Sequence, residues 1–178
     1  MQQKADLMDS VKIDRTITRI AHEIIEQNAN LNEVVIVGIK TRGIPLAKRL
    51  IDKIQQFENV SIPLGECDIT LYRDDLTELK DTPTLNSTKI DFEIKDKIVI
   101  LVDDVLYTGR TARAAIEAIM ALGRPKKIQF AVLIDRGHRE LPIRADYVGK
   151  NIPTSKDECV AVSLIETDKE ESVKLFLI

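Results

Sequence analysis

Val99-Ile100-Leu101-Val102-Asp103-Asp104-Val105-Leu106-Tyr107-Thr108-Gly109-Arg110-Thr111 is the stretch from which the rest of the chain can be read. Its opening residues are aliphatic without polar alternation, the pattern of a strand covered on both faces, as in a parallel sheet. We expect that strand over Lys97 to Val102, with Asp103-Asp104 closing it. The Thr-Gly-x-Thr turn then opens a helix with Ala112, Ala115, Ile116, Ile119 and Leu122 on its inner side. A helix N-terminus presents unpaired N–H groups and a partial positive charge, which suit a phosphate. Gly109 allows the backbone to approach an anion closely, and the Thr108 and Thr111 hydroxyls add donors. Adjacent carboxylates ahead of such a cup would repel a phosphate. They suit sugar hydroxyls, met directly or through Mg²⁺-bound water. A plainer alternative is an aspartate pair that only caps the turn.

The same signature recurs outward from this stretch. Val34-Val35-Ile36-Val37-Gly38-Ile39 is a second unalternated run, closed by Lys40-Thr41-Arg42-Gly43. Ile128 to Ile134 is a third, closed by Asp135-Arg136-Gly137-His138-Arg139. Helices are expected from Ile13 to about Gln27, where Ile13, Ile17, Ile20 and Ile24 share a stripe, and from Ile44 to about Gln56. Glu66 to Arg73 reads as a further strand, with shorter ones near Asp146–Gly149, Cys159–Ile165 and Val173–Leu177. Strand–helix–strand alternation gives an α/β class with a mostly parallel sheet flanked by helices, in one domain over residues 1–178. Ligands of open α/β sheets bind beyond the carboxyl ends of the strands, so the three closing segments can line one crevice. Lys40-Thr41-Arg42-Gly43 suits a diphosphate, with backbone N–H groups as donors and Arg42 as a two-pronged partner. An ordinary basic turn is the other reading. Asp74 to about Lys89 is polar and without an apolar face, long enough to serve as a lid or to be a plain surface loop.

Bulk properties narrow the class. The 178 residues suffice for a core without disulfides, and 44% hydrophobic with 31% charged residues is a globular balance. A net charge of −3 speaks against general nucleic-acid binding but leaves room for a local basic patch. Cys67 and Cys159 match no metal spacing and read as reduced structural thiols. With no secretory leader and no membrane-length apolar run, the expectation is a cytoplasmic protein with no membrane contact. Arg15, Thr18, Arg19 and His22 can share one helical face, while His138, Arg139, Arg144 and Lys150 form a second basic set outside the Val99–Thr111 and Lys40–Gly43 stretches. Such stripes are more often solvated surfaces than nucleic-acid contacts. Aromatics amount to 4%, which argues against a stacking platform for bases.

The Val99–Thr111 stretch closely resembles the phosphoribosyl pyrophosphate (PRPP) motif of type I phosphoribosyltransferases. The resemblance implies their fold, a parallel sheet with a small hood. It implies that Asp103 and Asp104 hold the ribose hydroxyls, and that Val105, Leu106, Tyr107, Thr108, Gly109, Arg110 and Thr111 surround the 5′-phosphate. Lys40, Thr41, Arg42 and Gly43 become the diphosphate loop, which in that family often carries a non-proline cis peptide. Arg73, at the start of the lid, becomes a partner of the leaving group. Purine enzymes usually carry a carboxylate where Tyr107 stands, so a smaller base is expected; a purine salvage enzyme remains the alternative. Longer segments resemble the bacterial pyrimidine operon attenuator proteins: Ile20–Glu23, Val37–Gly43, Asp68–Leu76, Asp135–Pro142 and Arg144–Thr154. The likeness runs to about Ser155 and lapses over roughly Thr77 to Asp96 and in the C-terminal tail. That family makes UMP from uracil and PRPP with Mg²⁺ carried by the substrate and no direct protein ligand. It also binds the leader mRNA of pyrimidine genes when UMP or UTP occupies the site, and it forms dimers or larger homo-oligomers. Main-chain groups near Arg136 and Val160 are then expected to meet the uracil, and the two basic sets to meet RNA.

Overall fold

The structure, a computed structural model, describes residues 1–69 and 88–178. Strand β1 spans Gln2–Met8 and helix α1 Ser10–Gln27; β2 (Val34–Ile39), α2 (Gly43–Glu58) and β3 (Leu64–Cys67) follow. Next come β4 (Ile98–Leu106), α3 (Arg110–Leu122), β5 (Lys127–Asp135) and β6 (Tyr147–Asn151). The chain then forms β7 (Glu158–Ser163), the short helix α4 (Ile165–Asp168) and β8 (Ser172–Leu177). Five strands make one parallel sheet in the order β3-β2-β4-β5-β6. A second sheet, antiparallel and in the order β1-β8-β7, forms the hood.

The unalternated runs are fully covered because the sheet is packed on both faces. Along β2 and β4, Val34, Ile36, Ile98, Ile100 and Val102 join a cluster with α1, α2 and hood residues. Their neighbours Val35, Val37, Val99 and Leu101 point the other way, toward Ala112, Ala115 and Ile119 of α3. The isoleucine stripe of α1 is buried as its spacing predicts, and Asp9 caps the helix by accepting from Lys12 N at 2.8 Å.

Several expectations need correction. Strand β4 does not stop at Val102 but runs through the aspartates to Leu106, paired with β5 as far as Leu106↔Asp135. Backbone ladders take no account of side-chain polarity, so a strand can carry two carboxylates at its open end. Leu122 is 42% exposed, whereas Ala114 and Ala118 are buried on the inner side of α3. The described part of the strand expected over Glu66 to Arg73 lies at Leu64–Cys67. Strand β1 was not foreseen: Gln2-Gln3-Lys4-Ala5-Asp6-Leu7-Met8 shows little alternation, because it is an edge strand with only Met8 fully buried. Among the described residues no helix is long and apolar enough to cross a membrane.

Candidate active site

The open ends of β4, β2 and β5 meet where the pattern placed the crevice. Asp103 is buried at 8% exposure and its Oδ1 accepts from Asp104 N at 2.9 Å; Asp104, half-buried, accepts from Val105 N at 2.8 Å. Each carboxylate is thus oriented by a backbone N–H. Gly109 takes φ +93°, in the left-handed region glycine favours, and turns the chain into α3. A cavity of about 380 Å³ opens there, lined by Asp103, the Val105–Thr111 turn, Ala112, Phe130 and Glu140. At its mouth the first N–H groups of α3 are unpaired within the helix.

The segment after β5 holds this turn in place. Glu140 N and Leu141 N both donate to the Thr108 carbonyl, at 2.9 and 3.2 Å. Arg139 donates to the Tyr107 carbonyl at 2.7 Å and forks onto both Asp135 oxygens at 2.8 and 2.6 Å. His138 Nε2 sits 2.5 Å from the Thr154 carbonyl oxygen. His138 and Arg139, read from the sequence both as part of the segment closing β5 and as part of a basic set, are engaged with their own protein here. Positive φ values at Gly137 and His138 accompany the fold-back that lets Arg139 brace the turn from behind.

Lys40-Thr41-Arg42-Gly43 lies beside the aspartates, and its Lys40–Thr41 peptide bond is cis. Gly43 is pressed so closely on β4 that a Cβ would run into the Val102 carbonyl oxygen. Lys40 pairs with Asp68 at 3.0 Å. Arg42, expected as a phosphate partner, is engaged elsewhere: Nε donates to Asp168 Oδ2 at 3.0 Å and Nη2 to Oδ1 at 2.7 Å. The guanidinium pairs with a carboxylate that matches its fork. Asp168 was missed because it lies in α4, distant in sequence and among other acidic residues. It also accepts from Thr167 Oγ1 at 2.6 Å and Leu164 N at 2.9 Å. The Arg42 guanidinium, with the two other donors, holds this carboxyl well below the usual range. In return Asp168, with a smaller contribution from Asp104, raises Arg42.

On the third side, the Arg136 guanidinium lies 3.9 Å from the Tyr107 ring centroid. Arg136 is 6% exposed, and it donates to the Glu158 carbonyl at 2.6 Å and to Thr154 Oγ1 at 3.3 Å. Val160, 7% exposed, faces the core from β7 of the hood. Cys67 is buried nearby and its thiol is pushed up to about 11 by burial, so it offers no thiolate as nucleophile. Arg73 and almost all of the expected lid lie outside the described residues.

The remaining basic residues divide by surroundings. Arg15, Arg144 and Lys150 are exposed. Thr18 is half-buried and donates to the Asp14 carbonyl at 2.9 Å. Arg19 ties α1 to β6 by donating to the Gly149 and Val148 carbonyls at 2.5 and 3.2 Å, and it pairs with Glu23. That link brings the α1 face beside Lys150 on β6. His22 stacks on Phe57 with ring centroids 4.2 Å apart, so one exposed aromatic pair does occur on this face.

Comparison with known proteins fits this geometry. The phosphoribosyl transferase domain model matches residues 5–167. A protein of Alkaliphilus metalliredigens (strain QYMF) named "Bifunctional protein PyrR" is 63% identical over 175 residues, covering 98% of this chain and 96% of that one. Its namesake from Clostridium perfringens (strain SM101 / Type A) is 61% identical over 176 residues, covering 99% of each. A hypoxanthine phosphoribosyltransferase of Trypanosoma cruzi superposes with a TM-score of 0.75 at 19% identity, over 98% of this chain and 97% of the other, a likeness of fold alone. The chain belongs to the phosphoribosyl transferase family, and within it to the PyrR proteins.

Proposed function

We propose that this chain makes UMP and diphosphate from uracil and PRPP, and that it binds pyrimidine-leader RNA when a uridine nucleotide fills the same site. The observation that carries the first part is Asp103 set with the Gly109 turn in one cavity, and Asp104 next to it on the strand that leads into that turn. Asp103 and Asp104 accept the ribose hydroxyls, and the Thr108–Thr111 turn, with the start of α3, takes the 5′-phosphate. The Lys40–Gly43 loop lies on the diphosphate side, and Arg73 is assigned to the leaving group on resemblance alone. Uracil N1 bonds to the anomeric carbon as the carbon–oxygen bond to diphosphate breaks, and the N1 proton is lost. No protein nucleophile is required. Rate comes from holding both reactants in line and from charges fixed around an oxocarbenium-like centre.

The oriented Asp103 and Asp104 carboxylates would hold the water shell of a Mg²⁺ ion carried by PRPP, which would supply charge neutralisation at the leaving group. Tyr107, with Arg136 stacked over its ring, narrows the base side and favours a pyrimidine over a purine. Backbone groups near Arg136 and Val160 read the uracil edge. Arg15, Arg144, Lys150 and His22 offer the RNA surface, joined by Arg19 through its grip on β6. Leader hairpins would be read there by charge and hydrogen bonds to unpaired loop bases. The protein works in the cytoplasm as a dimer or larger homo-oligomer.

Incubating the protein with labelled uracil, PRPP and Mg²⁺ tests the enzyme, and UMP is the expected product. Turnover of hypoxanthine with none of uracil would overturn the base assignment. Gel-shift titration of a pyrimidine-leader hairpin with and without UMP tests the regulator. Arg144→Ala should weaken RNA binding and leave turnover near wild type. Arg19→Ala is a poorer probe, because it also releases β6.

A further inference from the structure

We infer that Asp168 is a positioning residue for the diphosphate half of the substrate, acting through Arg42. The inference rests on the enzyme reading above and adds a residue to it. A guanidinium has five N–H donors. Asp168 takes the Nε donor and one on Nη2, along a single edge of the plane. The Nη1 end, which makes no hydrogen bond among the described residues, remains able to meet an anion. Arg42 can therefore hold the hood with one edge and a diphosphate oxygen with the other.

The orientation is strongly constrained. Asp168 is itself fixed by Leu164 N and Thr167 Oγ1, so its carboxylate cannot swing freely to follow Arg42. Asp104 is near enough to act on Arg42 electrostatically, so the guanidinium that grips the hood also lies within reach of the sugar-binding pair's charge. Arg42 also directly precedes Gly43, where the loop is jammed against the Val102 carbonyl and cannot shift inward. A long side chain on such a loop would otherwise sample many rotamers, and each would have to be given up on binding. Asp168 pre-pays that ordering. It also means that the diphosphate loop and the hood meet at the same guanidinium.

The test is a double-mutant cycle on the full chain. Asp168→Asn keeps the shape and loses the charge-assisted fork, and should raise KM for PRPP about tenfold with kcat nearly unchanged. The Kd of inorganic diphosphate with Mg²⁺ should rise in parallel, while that of UMP, which carries no diphosphate, stays within about twofold. Asp168→Glu should restore most of the loss. Arg42→Lys should weaken PRPP similarly, and the double variant should be no worse than Arg42→Lys alone, since one residue acts through the other. Arg49 holds the same segment through Glu166 and Glu171, so Asp168→Asn is expected to fold. Should that variant nonetheless fail to fold, Arg42→Lys against PRPP and UMP decides, and equal loss of both overturns the inference. Additive losses, equal weakening of UMP and diphosphate, or an unchanged KM for PRPP would each overturn it too. Absence of wild-type uracil turnover would instead sink the enzyme reading, so the two failures are distinguishable.

Discussion

The parallel sheet and the α4 segment of the hood are held by different forces, although strands β7 and β8 share the sheet's apolar core. In the sheet, β2 and β4 bury unbroken aliphatic runs, with Ile36, Ile100 and Leu101 fully removed from water. The hood segment from Ile165 to Glu171 is fastened to α2 and its leading loop by charge. Arg42 pairs with Asp168, and Arg49 with Glu166 at 2.7 Å and Glu171 at 2.5 Å. Apolar burial is indifferent to pH and salt, whereas partly exposed ion pairs yield to both. A site placed between the two has one wall that stays put and one that can give. For an enzyme that must enclose PRPP and later release UMP, this division is useful.

Four measurements would break or sharpen the contrast. Ile100→Ala, which leaves a hole in the sheet, should cost about 2–5 kcal/mol of unfolding free energy in a denaturant titration. Asp104→Asn, further along the same strand, should instead lower turnover on the order of a hundredfold with the denaturation midpoint nearly unchanged. Were the midpoint to fall as far as for Ile100→Ala, the carboxylate would be structural. Arg49→Ala should cost about 1 kcal/mol or less and show itself chiefly as faster amide exchange in β7 and β8. Equal acceleration in β4 and β5 would mean that sheet and hood open together. The smallest effect is expected from acid. Asp168 and Glu166 are held below their ordinary range by arginines, so their contribution is complete above that range. It is lost as pH falls below about 4 toward the depressed values. Hood amides should then lose protection before those of the sheet.

What could be read in advance follows the same division. Runs buried on both faces announce themselves, so β2, β4 and β5 were visible from Val34, Val99 and Ile128 onward. The Asp103-Asp104 pair and Gly109 turn were equally plain, because strand, charge, glycine and helix are local in sequence. Strand β1 was not, since its pairing partner is β8 at the far end of the chain and its own residues are mostly exposed. The Arg42–Asp168 fork and the Arg136–Tyr107 stack join segments whose sequences carry no mark of one another. The place of His138 and Arg139 after β5 was legible, but nothing in their spacing shows that the chain turns back at Gly137 and sets Arg139 against the Tyr107 carbonyl.

The pairing of β1 with β8 also bears on the order in which the molecule is made. Residues 2–8 leave the ribosome early but find their hydrogen-bonding neighbours only when residues 172–177 appear. Meanwhile β2, β3, β4 and β5 can assemble, each joined to the next by a shorter stretch of chain. A nascent protein thus has its floor before its roof, and Ala5, Leu7 and Met8 wait uncovered until residues 172–177 emerge. Slow elongation between β6 and β8 would prolong that wait, and with it the interval in which a chaperone has something apolar to hold.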